Sequence, residues 1–542
     1  MGVKKQYPKA GPDKPDMRGY VPVSTLWPSS IAYNAHMLSA ERRRPLHLTV
    51  LTVLVAATAL LTGGARAQDA PLPADDPVWE VLRPLLVRGG APQWNWTQAP
   101  LTEGDARQLM EGLSGSLPRL ASHMLPTADR HSANWGIRVR AEGRLTAQDG
   151  FDPLRSGADQ DANLYQLVQY ESYARWGRWM AGFGWRHDGF YERDVDALDA
   201  ALRWQIRPEN TYIRYEGSIV GLTFGRLVQH WGPPGLEGLM LSDNPRPMDH
   251  IALRLGSGRL VLHSSLNELD SITTDGRFTG TAGDDSVAVG AERRFLAAHR
   301  LDIRVHPEWS ISLMHSTLYS GGTAGFSLKF ANPFNVGLFS IDNRPKNEEN
   351  NGLLGLEVRH STPTRAASLQ FMLDDVDVLN LSEPISFGVA AFAETQVSPK
   401  LSVGGRGLAV AARTYKTFQP EGRYVYLLRS IGAQQADAID WQGWIAHVTA
   451  TDAYMVHTRL GVEARWQGEH DLLADFPGDS EPSILTGSTR RTVRPFARLF
   501  AWHASGLFAR ADVGPARSGG ETDVRGSLAI GFRVHASGRL EP

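Results

Sequence analysis

From Trp135 onward, apolar and polar residues trade places at every second position. In WGIRVRAEGRL the apolar set is Trp135, Ile137, Val139, Ala141 and Leu145, and Gly136, Arg138, Arg140, Glu142 and Arg144 stand between. A period of two sends alternate side chains to opposite faces of a strand, so one face meets an apolar medium and the other a polar one. The pattern returns at Leu198, Ala200, Leu202, Trp204 and Ile206, at Leu460, Val462, Ala464 and Trp466, and at Leu528, Ile530, Phe532 and Val534. Strand-like segments continue for roughly 400 residues at about 22 residues per strand and turn, which predicts on the order of 18 strands. Arginine and glutamate on the polar faces suit a hydrated lumen. Aromatic residues near segment ends (Trp176 and Trp179, Trp441 and Trp444, Phe496 and Trp502) suit interface girdles. A solenoid or propeller would carry a repeating unit, and none is visible. The prediction is an all-β transmembrane barrel of about 18 antiparallel strands over residues 131–542.

Ahead of the barrel the period lengthens. DDPVWEVLRPLLVRG places Val78, Val81, Leu82, Leu85 and Leu86 on one stripe, with Pro77 near its start and Gly89-Gly90 at its end. PLTEGDARQLMEGLSGSLPRLASHML opens with a Thr-x-x-Asp capping box at Thr102 and Asp105 and continues with Leu109, Leu113 and Leu117 on one face. Two short helices are predicted in a periplasmic helical segment, 68–130. Before it, Arg42, Arg43 and Arg44 precede an uncharged run from Leu48 to Leu61 and then Ala65-Arg66-Ala67. That order predicts a secretory signal peptide, 37–67, cleaved after Ala67; the apolar run falls short of the roughly 20 residues a membrane-spanning helix needs. Residues 1–36 fit no targeting pattern and are read as a non-native extension ahead of a start at Met37.

Composition removes several function classes. The formal net charge is −2, without the basic excess a nucleic-acid partner demands. Cysteine is absent, which excludes disulfides, a thiolate nucleophile and Cys-ligated zinc. No G-x-S-x-G elbow, H-E-x-x-H or P-loop occurs, and the histidines lack ligand spacing, so no catalytic residue, metal or cofactor is assigned. Asp159-x-Asp161-x-Asn163 opens like a calcium loop, but Leu164 and Tyr170 occupy the glycine and glutamate positions, so it reads as a solvated loop. Asp374 and Asp375, being adjacent on a strand, point to opposite faces and read as a lumen charge beside an end-of-strand charge. The hydrophilic run from Asp342 to Asn351 reads equally as a binding loop or as an ordinary solvated one.

The alternation breaks at GRLVQHWGPPGLEGLMLSDNPRP, Gly225 to Pro247. Glycine and proline there let the chain fold back close to the barrel wall with little spare entropy. Arg246 is held extended between two prolines, Asn244 and Ser242 offer short hydrogen-bonding groups, and the face of Trp231 suits the apolar side of a pyranose. Trp231, Asn244 and Arg246 are the candidate ligand-binding residues, and the same residues would serve an inward-folded loop that braces the barrel.

This stretch resembles the signature of the capsule-assembly Wzi family of bacterial outer-membrane proteins, through Gly225, Arg226, Trp231, Gly232, Pro233, Leu241, Ser242, Asn244, Arg246 and Pro247. NNGLLGLEVRHSTPTRAASLQFMLDD is similar to the family's strand pair ending in Asp-Asp. The chain departs from the pattern at Gln229, His230 and Pro245. The resemblance implies an 18-stranded outer-membrane barrel with a blocked lumen and a lectin-like role. Its implied partners are capsular or extracellular polysaccharide, outer-membrane lipid and the polysaccharide-export machinery. Two other readings stay open: a channel or porin for small solutes, and an outer-membrane lipid- or glycan-acting enzyme using Asp374, Asp375 or His230.

Overall fold

The computed structural model describes residues 70–88, 96–125, 133–147, 163–189, 206–271, 293–334, 349–374 and 385–540, apart from Ala74, 111–112, Ser114, Pro234, 322–324, 418–419, Asp475 and 479–480. Eighteen antiparallel strands, from β1 (Asn134–Ala147) to β18 (Glu521–Arg539), form a closed barrel. Closure comes from β1 pairing with β18, Asn134 opposite Arg539 and Ala147 opposite Gly526, which leaves no open sheet edge in the wall. One rim carries turns of two or three residues, such as Gly258-Arg259 and Thr451–Ala453, and the other carries the longer connections together with the two-residue turn Gly519-Gly520.

The burial pattern is that of a soluble protein turned inside out. On β1, Arg138, Arg140 and Glu142 are buried, whereas Leu145 is 48% exposed. On Arg365–Leu373, Ala366, Ser368, Gln370 and Met372 are buried, whereas Leu369 and Phe371 are 51% and 40% exposed. Apolar side chains on the outer face and polar ones inside are what lipid outside and a polar lumen require. The predicted faces at Leu145, Leu460, Val462, Leu528, Ile530, Phe532 and Val534 are thus the outward ones. Of the aromatic residues expected in girdles, Trp441 is half exposed, but Trp444, Phe496 and Trp502 are buried. Those three belong to a lumen cluster with Phe392, Phe500 and Phe508, because strand parity, and not nearness to a strand end, decides which side a residue faces.

That cluster exists because the helical segment lies against the inner wall. Val78–Leu82 continues as a 3-10 turn, Arg83–Val87, and the stripe Val78, Val81, Leu82, Leu85 and Leu86 is buried against it. The capping box forms: the Asp105 N–H donates to Thr102 Oγ1 at 3.1 Å, and the Thr102 N–H donates to Asp105 Oδ2 at 2.7 Å. The second predicted helix is two, Glu103–Met110 and Ser116–His123, with Gly115 at φ 114° between them. The break still leaves Leu109 and Leu117 buried in the same cluster. Wall residues hold the segment electrostatically: Arg138 on Glu103 (3.2 Å), Arg140 on Asp75 (2.9 Å) and Arg533 on Asp76 (2.9 Å).

Several expectations fall outside the described residues: the extension 1–36, the signal peptide 37–67, Leu198 to Gln205, Asp159 and Asp161, Asp375, and the loop core 342–348. The end of that predicted loop is corrected. Glu349 to Asn351 open the strand Glu349–Thr362, and Asn351 is buried, its Nδ2 donating to the Gly422 carbonyl at 3.0 Å.

Candidate functional site

The stretch from Gly225 to Pro247 leaves the wall and folds into the lumen. It starts where Val220–Leu227 ends, at Gly225 with φ 131°; a Cβ there would meet the Thr211 carbonyl at 2.3 Å. Only glycine tolerates that backbone at that distance. His230–Trp231 then pairs with Gln98–Ala99, so the loop and the N-terminal segment share a two-stranded ribbon. At Gly238 a Cβ would lie 2.3 Å from the Leu241 carbonyl and 2.5 Å from that of Trp231. This close approach lets the chain reverse and bury Leu239, Met240 and Leu241 completely.

A second lumen loop covers it. The Ser242 N–H donates to the Ile431 carbonyl at 2.8 Å, Ser242 Oγ to the Gly432 carbonyl at 2.7 Å, and Asn244 Nδ2 to the Ser430 carbonyl at 3.1 Å. The Tyr415 hydroxyl donates to the Leu239 carbonyl, and the Tyr424 hydroxyl to the Met240 carbonyl at 2.9 Å. Burial pushes both phenols above their usual range, so both keep the proton they donate. Leu239 to Leu241, Tyr415, Tyr424, Val425, Ile431 and Ala433 form one core with Met314, Leu353, Met372 and Val410 of the wall.

A fully buried guanidinium ties wall, loop and helical segment together. Arg300 pairs with Glu357 at 2.6 Å and Asp302 at 2.9 Å, and donates to Thr97 Oγ1 at 3.0 Å. Gln370 Nε2 donates to Glu357 Oε1 at 3.2 Å and to the Trp231 carbonyl at 2.8 Å, while its Oε1 accepts the Leu239 N–H at 3.2 Å. Arg300, Glu357 and Gln370 were not singled out from sequence. The available signal was their place on the lumen side of alternating strands, which many charged residues share.

Two cavities flank this plug. One, of about 600 Å³, reaches the short-turn rim at Ser257, Gly258 and Arg259 and is lined by Trp231, Gln229 and several arginines. The other, of about 390 Å³, lies between the helical segment and the loop; Asn244, Gln442, Arg406 and Arg459 line it, with Thr146 and Ser527 toward the opposite rim. The three candidate residues therefore separate. Trp231 is buried at the first cavity, Asn244 is buried at the second with Oδ1 unpartnered, and Arg246 is half-buried, within electrostatic reach of Asp270 and Tyr426. Asp374 is buried at the end of its strand and accepts the Tyr415 N–H, which makes it an anchor for the covering loop.

His230 pairs with Asp243 at 3.3 Å, and its Nε2 lies 3.3 Å from the Pro233 carbonyl. Burial alone would lower its pKa; the Asp243 carboxylate and the Pro233 carbonyl outweigh burial and raise it above 6.5. A raised folded-state pKa stabilises the loop fully below the unfolded value, and that stabilisation is lost as pH rises through the folded one. Between about pH 6 and about pH 8 the urea midpoint of the wild type should fall further than that of His230→Gln. Parallel pH profiles for the two proteins would show that this pair does not hold the loop.

Fold and site together define a membrane β-barrel whose lumen is filled by its own chain. The family model for the capsule assembly protein Wzi matches residues 158–388, and the chain resembles that family across a region that contains both stretches named above. No curated protein sequence matches the chain. Among solved structures, Escherichia coli Wzi, an outer-membrane protein involved in group 1 capsule assembly and a carbohydrate-binding β-barrel, is 13% identical. The match covers 87% of this chain and 99% of that one at a TM-score of 0.55. Pseudomonas aeruginosa OccK5 is 11% identical over 75% of this chain and 98% of its own, with a TM-score of 0.41. Acinetobacter baumannii OccAB4 is 9% identical over 75% and 98%, with a TM-score of 0.42. Only the first similarity supports the fold.

Proposed function

We propose that this protein is an outer-membrane barrel that binds exported capsular or extracellular polysaccharide and helps to assemble or anchor it at the cell surface. The observation that carries the reading is a lipid-facing barrel whose lumen is filled by its own helical segment and inward loop, in a chain that matches the Wzi family. Such a filled lumen favours a binding role over solute passage. The short turns then face the periplasm and the long connections the exterior, the usual orientation of such barrels. The protein acts by binding, without chemical turnover of the glycan.

Trp231, Asn244 and Arg246 are proposed contacts. Asn244 Oδ1 is a buried acceptor with no partner on a cavity wall, and such an atom is satisfied by a ligand hydroxyl. Export machinery and outer-membrane lipid are the proposed further partners. Cleavage after Ala67 is proposed to precede insertion, and N-terminal sequencing of the mature protein reads it directly.

The test is deletion in the native host. Polysaccharide export should continue while the cell-attached fraction drops and the material released to the medium rises. Unchanged attachment would remove the proposed role. Complementation with Asn244→Ala and Arg246→Ala should restore attachment only in part if these residues touch the glycan.

A further inference from the structure

We propose that the cavity at the short-turn rim is a binding site for a carboxylate-bearing sugar, loaded from the periplasmic side. The inference rests on the polysaccharide-binding reading and adds a ligand class and a face of the barrel. Five arginines line this cavity: Arg214, Arg254, Arg259, Arg304 and Arg359. Three carboxylates oppose them, Asp105, Glu216 and Asp302, so the lining carries five minus three, or two, excess positive charges.

The carboxylates are already engaged. Asp105 accepts the Thr102 N–H at 2.7 Å in the capping box. Asp302 is held at 2.9 Å by Arg300, which it shares with Glu357, and neither of those two lines the cavity. Glu216 is shared between Arg254 and Arg214, the latter at 3.5 Å. Arg214 keeps Nε and Nη1 buried with no hydrogen-bond partner. Guanidinium groups in a partly desolvated cavity favour an anion, and their forked donors fit a carboxylate with two parallel bonds.

A saccharide is favoured over a bare anion by the rest of the wall. Trp231, 4% exposed, offers one edge of its ring at the inner end of the cavity, and Gln229 and Ser265, bonded to each other at 2.9 Å, supply neutral polar groups beside it. An aromatic edge with neutral polar groups beside it suits the mixed surface of a sugar, while inorganic anions need only the charge. The volume of about 600 Å³ leaves room for more than one ring. Because Ser257, Gly258 and Arg259 form its edge, the cavity opens beside the short turns, where an exported glycan would arrive from within the periplasm.

The experiment titrates the detergent-solubilised full chain with trigalacturonate and with maltotriose, a neutral trisaccharide, by calorimetry. The acidic sugar should bind at least about tenfold more tightly, since one bidentate guanidinium–carboxylate contact is worth about that much, and should weaken as salt rises. Arg214→Gln should remove most of the preference. Arg259→Gln, at an exposed turn position that does not support the fold, should reduce it by a smaller factor. Equal affinity for the two sugars would overturn the proposal, as would variants that bind like the wild type. Inorganic phosphate competing as strongly as trigalacturonate would assign the cavity to simple anions and overturn the sugar. If the deletion strain loses attachment but acidic sugar does not bind here, this inference fails alone; if attachment is unchanged, the broader role fails with it.

Discussion

Replacing Arg300 by methionine should destabilise the protein by about 3–5 kcal/mol, the range seen when one partner of a buried ion pair is removed. Arg300 is completely buried, and the change would leave Glu357 and Asp302 without the charge that offsets their desolvation. Thr97 would lose one of the donors that tie the N-terminal segment to the wall, and Glu357 would still draw on Gln370, which anchors the Trp231 loop. Urea unfolding followed by tryptophan fluorescence in detergent measures the loss. The double variant Arg300→Met with Glu357→Gln should recover part of it, because the orphaned carboxylate is then neutral. A single variant within about 0.5 kcal/mol of wild type would mean that the network is dispensable, since surface changes have effects of that size.

The second large effect is expected at Leu241→Asp. Leu241 is fully buried in one apolar core with Ile431 and the wall, so an aspartate there costs several kcal/mol if it stays charged and inside. The cheaper outcome is that the loop from Trp231 to Asn244 leaves the lumen for water while the barrel, held by its own ladders, survives. Planar bilayers should then record steady ionic current from the variant and none from wild type. Leu241→Met is the control, because an unbranched apolar side chain of similar volume keeps the buried site apolar. Variant channels as closed as wild type would show that the loop is not what blocks the lumen.

How much of this was legible beforehand can be read residue by residue. Period-two alternation at Arg138, Arg140 and Glu142 announced a polar interior because a strand has only two faces. The reversal at Gly225 to Pro247 was visible because glycine and proline restrict backbone geometry locally. The capping box at Thr102 and Asp105 was visible for the same reason, since its bonds span three residues. Trp444, Phe496 and Trp502 were misplaced because an aromatic residue near a strand end serves a girdle or a lumen core equally well until its parity is known. The central network was invisible. Thr97, Arg300 and the pair Glu357 and Gln370 are far apart in the chain, and nothing local distinguishes them from the other polar residues of the lumen face.

By itself, the sequence determined the barrel, its approximate strand number, the helical segment before it and the place where the wall is left. Those features follow from periodicity and backbone stereochemistry, which act over a few residues. Only the tertiary structure decided that the helical segment and the loop meet inside the lumen, and that Trp231 and Asn244 fall on different cavities. It also decided that the arginine excess gathers at the short-turn rim. Those facts depend on which strands lie opposite one another after closure, and that is a property of the closed ring and of no single segment.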